Sequence, residues 1–122
     1  MDLSASLPMY DLPEVVEALD SFYQAVLQAL GKSGDIAVLP TALSRGEAPE
    51  VLWSDSGLFL SQCCGYDLIT RCAGTLQPLV TPNYTAAGCR GTNYCSQVVV
   101  ARDSQIGSIA AAWGGVCVVN EI

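Results

Sequence analysis

A short run of apolar residues, Leu58–Leu60, is followed at once by small and polar residues and then by apolar residues at helical spacing. The apolar run is typical of a strand that is buried on both faces. The segment Ser61–Tyr66 contains a glutamine, two cysteines and a glycine, which indicates a turn. Leu68, Ile69 and Cys72 then share one face of a helix. This order predicts an α/β arrangement, in which ligands bind at the carboxyl ends of strands, although most such turns bind nothing.

Two strands and two helices are predicted before this point. Leu3–Met9 is typical of a first strand, and Asp11 can cap the helix that follows and ends at Gly31. The apolar positions that predict the buried face of this helix are Val15, Leu19, Phe22, Val26 and Leu30. Ile36–Leu39 predicts a second strand, and Glu47–Trp53 predicts a short helix with its proline near the start.

The second half of the chain predicts three more strands and one more helix. The helix that begins near residue 66 is expected to end near Gly74. The predicted strands are Gln77–Val80, Ser96–Ala101 and Val116–Val119. Ser104–Trp113 predicts a helix, and the glycine-rich residues 86–94 predict a loop. Alternating strands and helices of this kind predict an α/β domain over residues 1–122, with a mostly parallel sheet and helices on both faces.

Composition and charge exclude several partners. The chain has 122 residues, of which 51% are hydrophobic, so it can bury a core. Its net charge of −7 opposes nucleic-acid binding, which needs a basic face. The longest weakly polar run, Ile106–Val119, is too short and too rich in glycine to span a membrane. Met1–Ser4 lacks the features of a signal peptide, which leaves a cytoplasmic location open.

The chain has no histidine, which removes the commonest general base and metal ligand. Six cysteines are present, but no pair has the C-x-x-C spacing of zinc or thioredoxin-like sites, so neither a metal nor another cofactor is expected. Cys72 and Cys117 are predicted to be small buried side chains.

Several motifs occur together in an order that is familiar from one family. They are Ala5–Asp11, Leu60–Tyr66, Pro82–Tyr84, Gly88–Ser96 and the closing segment Val116–Glu121. In these motifs and their spacing, the chain resembles the phosphate/phosphite/phosphonate substrate-binding proteins of ABC transporters, which have the periplasmic-binding-protein type II fold. The resemblance extends over nearly the whole chain and corresponds to the first lobe of that fold, because the family continues after this segment into a second lobe.

The resemblance implies a non-catalytic module that binds a small oxyanion such as phosphate or a phosphonate, outside the cytoplasm, and that delivers it to a transporter permease. The residues that match the family's ligand-facing positions are Tyr10, Gln62, Gly65, Tyr66, Tyr94 and Ser96. Hydroxyl, amide and backbone N–H donors suit an oxyanion. The simpler alternative is that the tyrosines are edge aromatics with a solvated hydroxyl and that Ser96 has no role.

Three positions depart from the family pattern. Cys63 stands where the family usually has threonine, Asp67 where it usually has proline, and Cys95 where it often has a basic residue. The first and third changes remove donors, and a carboxylate at a helix start competes with an anion for the same N–H groups. The isolated chain is therefore expected to bind anions weakly.

Two other functions stay open at this point. One is a sensory or interaction domain that kept the fold and lost the ligand. The other is a thiol-based redox enzyme that uses Cys63 and Cys64, because a helix N-terminus can lower the pKa of a thiol.

The inferred fold carries two further expectations. If the protein is exported, Cys64 and Cys89 follow neighbouring strands and are the expected disulfide. Without a second lobe, the apolar strands Val98–Val100 and Val116–Val119 would border open edges. The chain is therefore expected to form a homodimer, either through one of these strands or by exchange of the segment from Ser104 onward.

Overall fold

The computed structural model describes residues 2–34 and 38–118. It divides the chain into two units, Met1–Gln77 and Pro78–Glu121. The first unit contains a small parallel sheet and three α-helices, and the second consists mainly of turns and irregular backbone. Each unit is described by itself below.

The sheet of the first unit has two parallel strands, β1 (Ser4–Ala5) and β2 (Leu58–Leu60). Ser4 N donates to Gly57 O and Ser6 N donates to Leu60 O, each at 2.9 Å. On the other side of β1, Ser44 N donates to Ala5 O at 2.7 Å. The parallel α/β arrangement is thus present on a small scale. The sheet is smaller than the sequence predicts, because β1 covers only two residues of Leu3–Met9.

Helix α1 spans Val16–Gly31 and is preceded by a 3₁₀ turn, Pro13–Val15. The predicted helix and its end at Gly31 are confirmed, but the predicted cap is wrong. Val15 occupies the N-cap position, and no side chain caps the helix there. The carboxylate of Asp11 instead accepts two hydrogen bonds from Arg45.

The buried face of α1 is rotated from the predicted one. Tyr23, 1% exposed, and Leu27 are its buried side chains, whereas Phe22 is 57% exposed and Leu30 is also exposed. Tyr23 combines an apolar ring with a hydroxyl that donates to Pro40 O at 2.7 Å. A buried tyrosine needs such a partner, and the loop around residue 40 supplies it. The choice of face therefore depends on a contact that is distant in sequence.

The core of the first unit is formed by apolar side chains from both strands, α1 and the loop after it. Its members are Ala5, Leu7, Tyr23, Leu27 and Leu43, with Leu19, Leu39 and Leu60 packed against them. The loop is held to α1 by the Tyr23 hydroxyl and by Gln24 Nε2, which donates to Thr41 O at 2.8 Å. Residues 36 and 37 of the predicted strand Ile36–Leu39 lie outside the described residues, and Val38 and Leu39 are in a turn and a bend.

Two short helices flank β2. Helix α2 spans Pro49–Trp53 and α3 spans Gly65–Thr70. Helix α2 ends at the predicted Trp53 but begins at Pro49 and not at the predicted Glu47, and α3 ends before the predicted Gly74. Arg71 connects the two helices, because its guanidinium lies 2.7 Å from Glu50 Oε1 and 3.3 Å from Asp67 Oδ1. Among the described residues, no helix is long and apolar enough to cross a membrane.

The second unit lacks the strands that its sequence predicts. Within its described residues, regular structure is limited to an isolated bridge between Arg90 and Asn93 and a 3₁₀ turn at Ala110–Ala112. The predictions of strands at Gln77–Val80 and Ser96–Ala101 and of a long helix at Ser104–Trp113 are wrong. The same holds for residues 116–118 of the last predicted strand; Val119 lies outside the described residues. A strand needs a paired neighbour and a covered face, and the valines of these segments are exposed.

The Tyr23 hydroxyl provides a test of this core. We expect Tyr23→Phe to lower the free energy of unfolding by about 1–2 kcal/mol, because the carbonyl of Pro40 loses its donor. Urea denaturation followed by circular dichroism measures the change. The matched control is Tyr66→Phe at an exposed tyrosine, for which we expect no change. Equal stabilities for wild type and Tyr23→Phe would contradict the role of this hydrogen bond.

Candidate functional site

Parallel pairing brings the carboxyl ends of β1 and β2 to the same edge of the sheet. The Oγ atoms of Ser6 and Ser61, which follow the two strands, lie 2.9 Å apart. Trp53 Nε1 also donates to Ser61 Oγ at 3.2 Å. We refer to the segments Ser6–Asp11 and Ser61–Tyr66 together as the carboxyl edge. Four of the six predicted ligand-facing residues lie on these two segments.

Gln62 is the residue of the carboxyl edge whose hydrogen bonding is incomplete. Its Oε1 atom is buried and has no hydrogen-bond partner among the described residues. A buried polar atom without a partner is uncommon and costs free energy. The oxygen and nitrogen of an amide exchange places by a half-turn of the terminal bond, so this group can present either an acceptor or a donor.

The other predicted residues of the edge are open to solvent. Tyr10 is the last residue of a 3₁₀ turn, Pro8–Tyr10, and is exposed. Gly65 begins α3, and a Cβ atom placed there would meet no atom within 4 Å. Tyr66 follows it and is exposed. The backbone of Gly65 is therefore open to solvent.

Tyr94 and Ser96 belong to the other unit, where both side chains are exposed. Of the six predicted residues, four thus lie on the first unit, namely Tyr10, Gln62, Gly65 and Tyr66. Tyr94 and Ser96 lie on the second unit.

Cys64 and Asp67 interact closely at the start of α3. Cys64 is the N-cap residue: its Sγ accepts a hydrogen bond from Asp67 N at 3.2 Å and donates one to Asp67 Oδ2 at 3.1 Å. Asp67 is 3% exposed, and its other carboxylate oxygen faces Arg71. The backbone N–H of Asp67 is thus occupied by the Cys64 sulfur, and the Asp67 carboxylate binds the Cys64 thiol and Arg71.

Burial is the main influence on the protonation of the Cys63 thiol. Desolvation is the largest of the causes that raise the pKa of its thiol to about 12, and the nearby Cys72, Cys64 and Asp67 contribute in the same direction. Cys63 Sγ donates to Cys64 O at 3.3 Å. A redox enzyme needs a thiolate nucleophile, and this environment favours the neutral thiol of Cys63 instead.

All six cysteines are free thiols in the structure. Cys64 interacts with Asp67 through its Sγ atom, and the Cys64–Cys89 disulfide of an exported protein stays a prediction. Cys72 is buried, as predicted, but Cys117 is exposed, which contradicts its prediction as a buried side chain. In the described part of the chain, no group of three or more histidine, cysteine, aspartate or glutamate side chains is arranged to hold a metal ion.

An open cavity of about 190 Å³ lies beside the first part of the carboxyl edge. Its lining residues are Pro8, Asp11, Ser44, Arg45, Gly46, Glu47, Pro49 and Leu52. Arg45 Nε lies 3.0 Å and 2.8 Å from the two oxygens of Asp11, and its Nη2 atom lies 2.8 Å from Asp20 Oδ1. These hydrogen bonds, first to Asp20 and then to Asp11, raise the pKa of Arg45 above its ordinary value.

The charge of this cavity does not favour an anion. One guanidinium is matched by two carboxylates that bind it and by Glu47 in the lining. Sequence analysis did not identify Arg45 as the centre of this group, because it assigned Asp11 the role of a helix cap. The sequence signal that could have identified Arg45 was its positive charge, since the chain contains only five lysines and arginines.

Comparisons with known proteins give no relative: no protein-family model, no curated protein and no solved structure matches the chain.

The Cys63 environment predicts a pH dependence of stability. The folded state holds the thiol proton more tightly than the unfolded state, whose thiol has a pKa near 9.0. This stabilisation is complete below about pH 9 and is lost as the pH rises towards about 12. We therefore expect the free energy of unfolding, measured with urea under reducing conditions, to fall over this range.

Cys63→Ser removes the titrating group and should make this fall shallower. Cys95→Ser, at an exposed cysteine, is the matched control and should follow wild type. The raised pKa of buried Tyr23 adds the same pH dependence of stability to all three proteins. An identical pH profile for Cys63→Ser and wild type would show that Cys63 does not cause the fall in the free energy of unfolding.

Proposed function

We propose that the chain is a non-catalytic module that binds a small phosphate-like oxyanion at the carboxyl edge, in the manner of the first lobe of a type II periplasmic binding protein. The observation that carries the proposal is the Gln62 amide, whose buried Oε1 lacks a partner at the edge where parallel strands commonly bind ligands. The motif resemblance supports the same ligand class.

The chemistry of the edge suits a protonated oxyanion better than a fully ionised one. Phosphate and phosphonates keep a proton near neutral pH, and their O–H group can donate to Gln62 Oε1. Their other oxygens accept from the amide N–H or from the hydroxyls of Tyr10 and Tyr66. Sulfate carries no proton and offers acceptors alone. A ligand can approach the open backbone of Gly65.

The binding is expected to be weak. The Cys64 sulfur already accepts from the backbone N–H of Asp67 at the start of α3, and Arg45 and Arg71 are each paired with two carboxylates. Recognition therefore relies on neutral donors. By family resemblance, the physiological setting of this binding is extracytoplasmic delivery to a transporter permease.

Amide chemical-shift titration by NMR tests the proposal, because it detects dissociation constants of about 1 mM and weaker. Phosphate and methylphosphonate at about pH 6, near the second pKa of phosphate esters, should shift the signals of residues 62–66, and sulfate should shift them less. Gln62→Leu should weaken phosphate binding by roughly tenfold or more, since a hydrogen bond to a charged group contributes about 1.5–3 kcal/mol.

The matched control is Gln28→Leu, at an exposed glutamine of α1, which should bind phosphate as wild type does. Binding that is equal in wild type and Gln62→Leu would contradict the assignment of the amide. So would shifts that appear equally throughout the chain, since these indicate a general effect of salt.

The exposed apolar surface of the second unit supports a second candidate function, that of an interaction module without a ligand. Its apolar side chains are largely in contact with water: Trp113 is 94% exposed, and Val98, Val99, Val116 and Val118 are also strongly exposed. Extended apolar exposure of this kind usually marks a surface that contacts another protein. A second copy of the chain is the partner that the proposal names, as a two-fold dimer.

Self-association is measured by size exclusion coupled to light scattering. We expect wild type at tens of micromolar to contain dimers, and Val116→Lys/Val118→Lys to shift it towards monomer, because lysine ammonium groups resist desolvation. Val38→Lys, at an exposed valine of the first unit, is the control and should leave the dimer intact. A wild-type protein that stays monomeric would rule out this mode of association.

A further inference from the structure

The carboxyl edge contains a hydrogen-bond network of three side chains, Ser6, Ser61 and Trp53. The Oγ atoms of the two serines lie 2.9 Å apart, and Trp53 Nε1 lies 3.2 Å from Ser61 Oγ. Ser6 is 1% exposed and Trp53 is 5% exposed, whereas Ser61 is half-buried. Ser61 immediately precedes Gln62 in the segment that follows β2. The protons of this network decide what Ser61 can offer to a ligand.

The direction of the hydrogen bond from Trp53 is fixed by its chemistry. An indole N–H is a donor only, so Ser61 Oγ accepts from it. A hydroxyl group accepts up to two hydrogen bonds and donates one. After the bond from Trp53, Ser61 therefore keeps one acceptor position and its own proton. The bond between the two serines uses one of these, and the burial of Ser6 decides which.

Two arrangements of the hydroxyl protons fit the 2.9 Å distance between the serines. If Ser61 donates, the Ser6 proton has no acceptor, because the hydrogen-bond partner of Ser6 Oγ in the described part of the chain is Ser61. An unpaired donor on a residue that is 1% exposed costs free energy. If Ser6 donates, the Ser6 hydroxyl and the Trp53 N–H are both paired, and the remaining proton belongs to the half-buried Ser61. The second arrangement is therefore the more stable one.

In this arrangement, Ser61 Oγ already accepts two hydrogen bonds, so its hydroxyl can only donate. We propose that Ser61 is a binding residue of the oxyanion site and that its hydroxyl donates to an oxygen of the bound phosphate or phosphonate. Trp53 and Ser6 are positioning residues, because they act through Ser61 and keep it in the donor state. The inference rests on the proposed function and adds a donor to it that sequence analysis did not identify.

Ser61 and Gln62 recognise different properties of an anion. Ser61 offers a proton to any oxyanion, since phosphate and sulfate both present acceptor oxygens. The Oε1 atom of Gln62 needs a proton on the ligand and therefore favours phosphate over sulfate. Ser61 thus contributes to the affinity for both anions, and Gln62 contributes to the preference between them.

The indole proton of Trp53 provides a first test in the wild-type protein. A hydroxyl that donates to an anion becomes a better acceptor, because linked hydrogen bonds polarise one another. We expect phosphate titration followed by NMR to move the Trp53 indole N–H signal downfield, with the same dissociation constant as the amide signals of residues 62–66. The indole of Trp113, which is 94% exposed and lies in the second unit, should not respond. Trp113→Phe assigns the two indole signals.

Substitutions at Ser61 provide a second test. Ser61→Ala should weaken the binding of phosphate and of sulfate by the same factor, roughly tenfold, because a hydrogen bond to a charged ligand is lost. Ser61→Thr keeps the hydroxyl and should restore the binding of both anions. Ser21→Ala, at an exposed serine of α1, is the matched control and should bind as wild type does. Circular dichroism checks the folding of Ser61→Ala; if this variant does not fold, the indole signal of the wild-type protein carries the test.

The outcomes separate the role of Ser61 from the proposed function. Phosphate-dependent shifts at residues 62–66 with an unmoved Trp53 indole signal would leave oxyanion binding intact and overturn the role of Ser61. Equal affinities of Ser61→Ala and wild type would do the same. A larger loss for phosphate than for sulfate in Ser61→Ala would also overturn it, because Ser61 would then respond to the proton of the ligand. Unmoved signals at residues 62–66 in the presence of phosphate would contradict both proposals.

Discussion

Two backbone hydrogen bonds, from Ser4 N to Gly57 O and from Ser6 N to Leu60 O, hold the first unit together across a long stretch of chain. Ser6 and Ser61, which meet beyond them, are 55 residues apart in sequence. Closing such a loop costs conformational entropy, which the apolar contacts of β1, α1 and the loop after α1 must offset. Without this pairing, the turns that carry Tyr10 and Gln62 would have no common edge.

Local sequence information predicted the elements that depend on local physics. The helical spacing of the apolar residues and Gly31 at the end sufficed to place α1. Pro49 likewise marks the start of α2. These features act within a few residues, so no knowledge of the rest of the chain is needed to use them.

The sequence predictions that the structure contradicts depend on contacts between residues that are distant in sequence. Asp11 has the position and chemistry of a helix cap, but Arg45, 34 residues later, binds its carboxylate instead. Phe22 and Tyr23 are both plausible inward-facing residues, and the carbonyl of Pro40 decides between them. Val98–Val100 has strong β propensity, but propensity reflects packing against a neighbour, and none covers these valines. The unpartnered oxygen of Gln62 is equally a product of the folded surroundings.

The chain has few cations, and the first unit uses two of them internally. Arg45 is held by Asp11 and Asp20, and Arg71 is held by Glu50 and Asp67. Because these ion pairs are partly exposed to solvent, their main effect is to fix loop positions and not to add much stability. They also engage both guanidiniums of the first unit, so neither is free at the carboxyl edge. Any anion that binds there meets amides and hydroxyls, whose interaction energies depend less on ionic strength than those of charged groups.

The two tryptophans of the chain are divided between the units. Trp53, 5% exposed, is buried in the first unit and donates to Ser61, whereas Trp113, 94% exposed, lies in the second. Indole fluorescence shifts to the red as the ring becomes hydrated, so the two rings emit at different wavelengths in the folded protein. The blue component, from Trp53, therefore reports whether the β1–β2 region is folded. The accessibility of the red component, from Trp113, to a soluble quencher reports whether another molecule binds over the second unit. One spectrum thus monitors the two units separately without an added label.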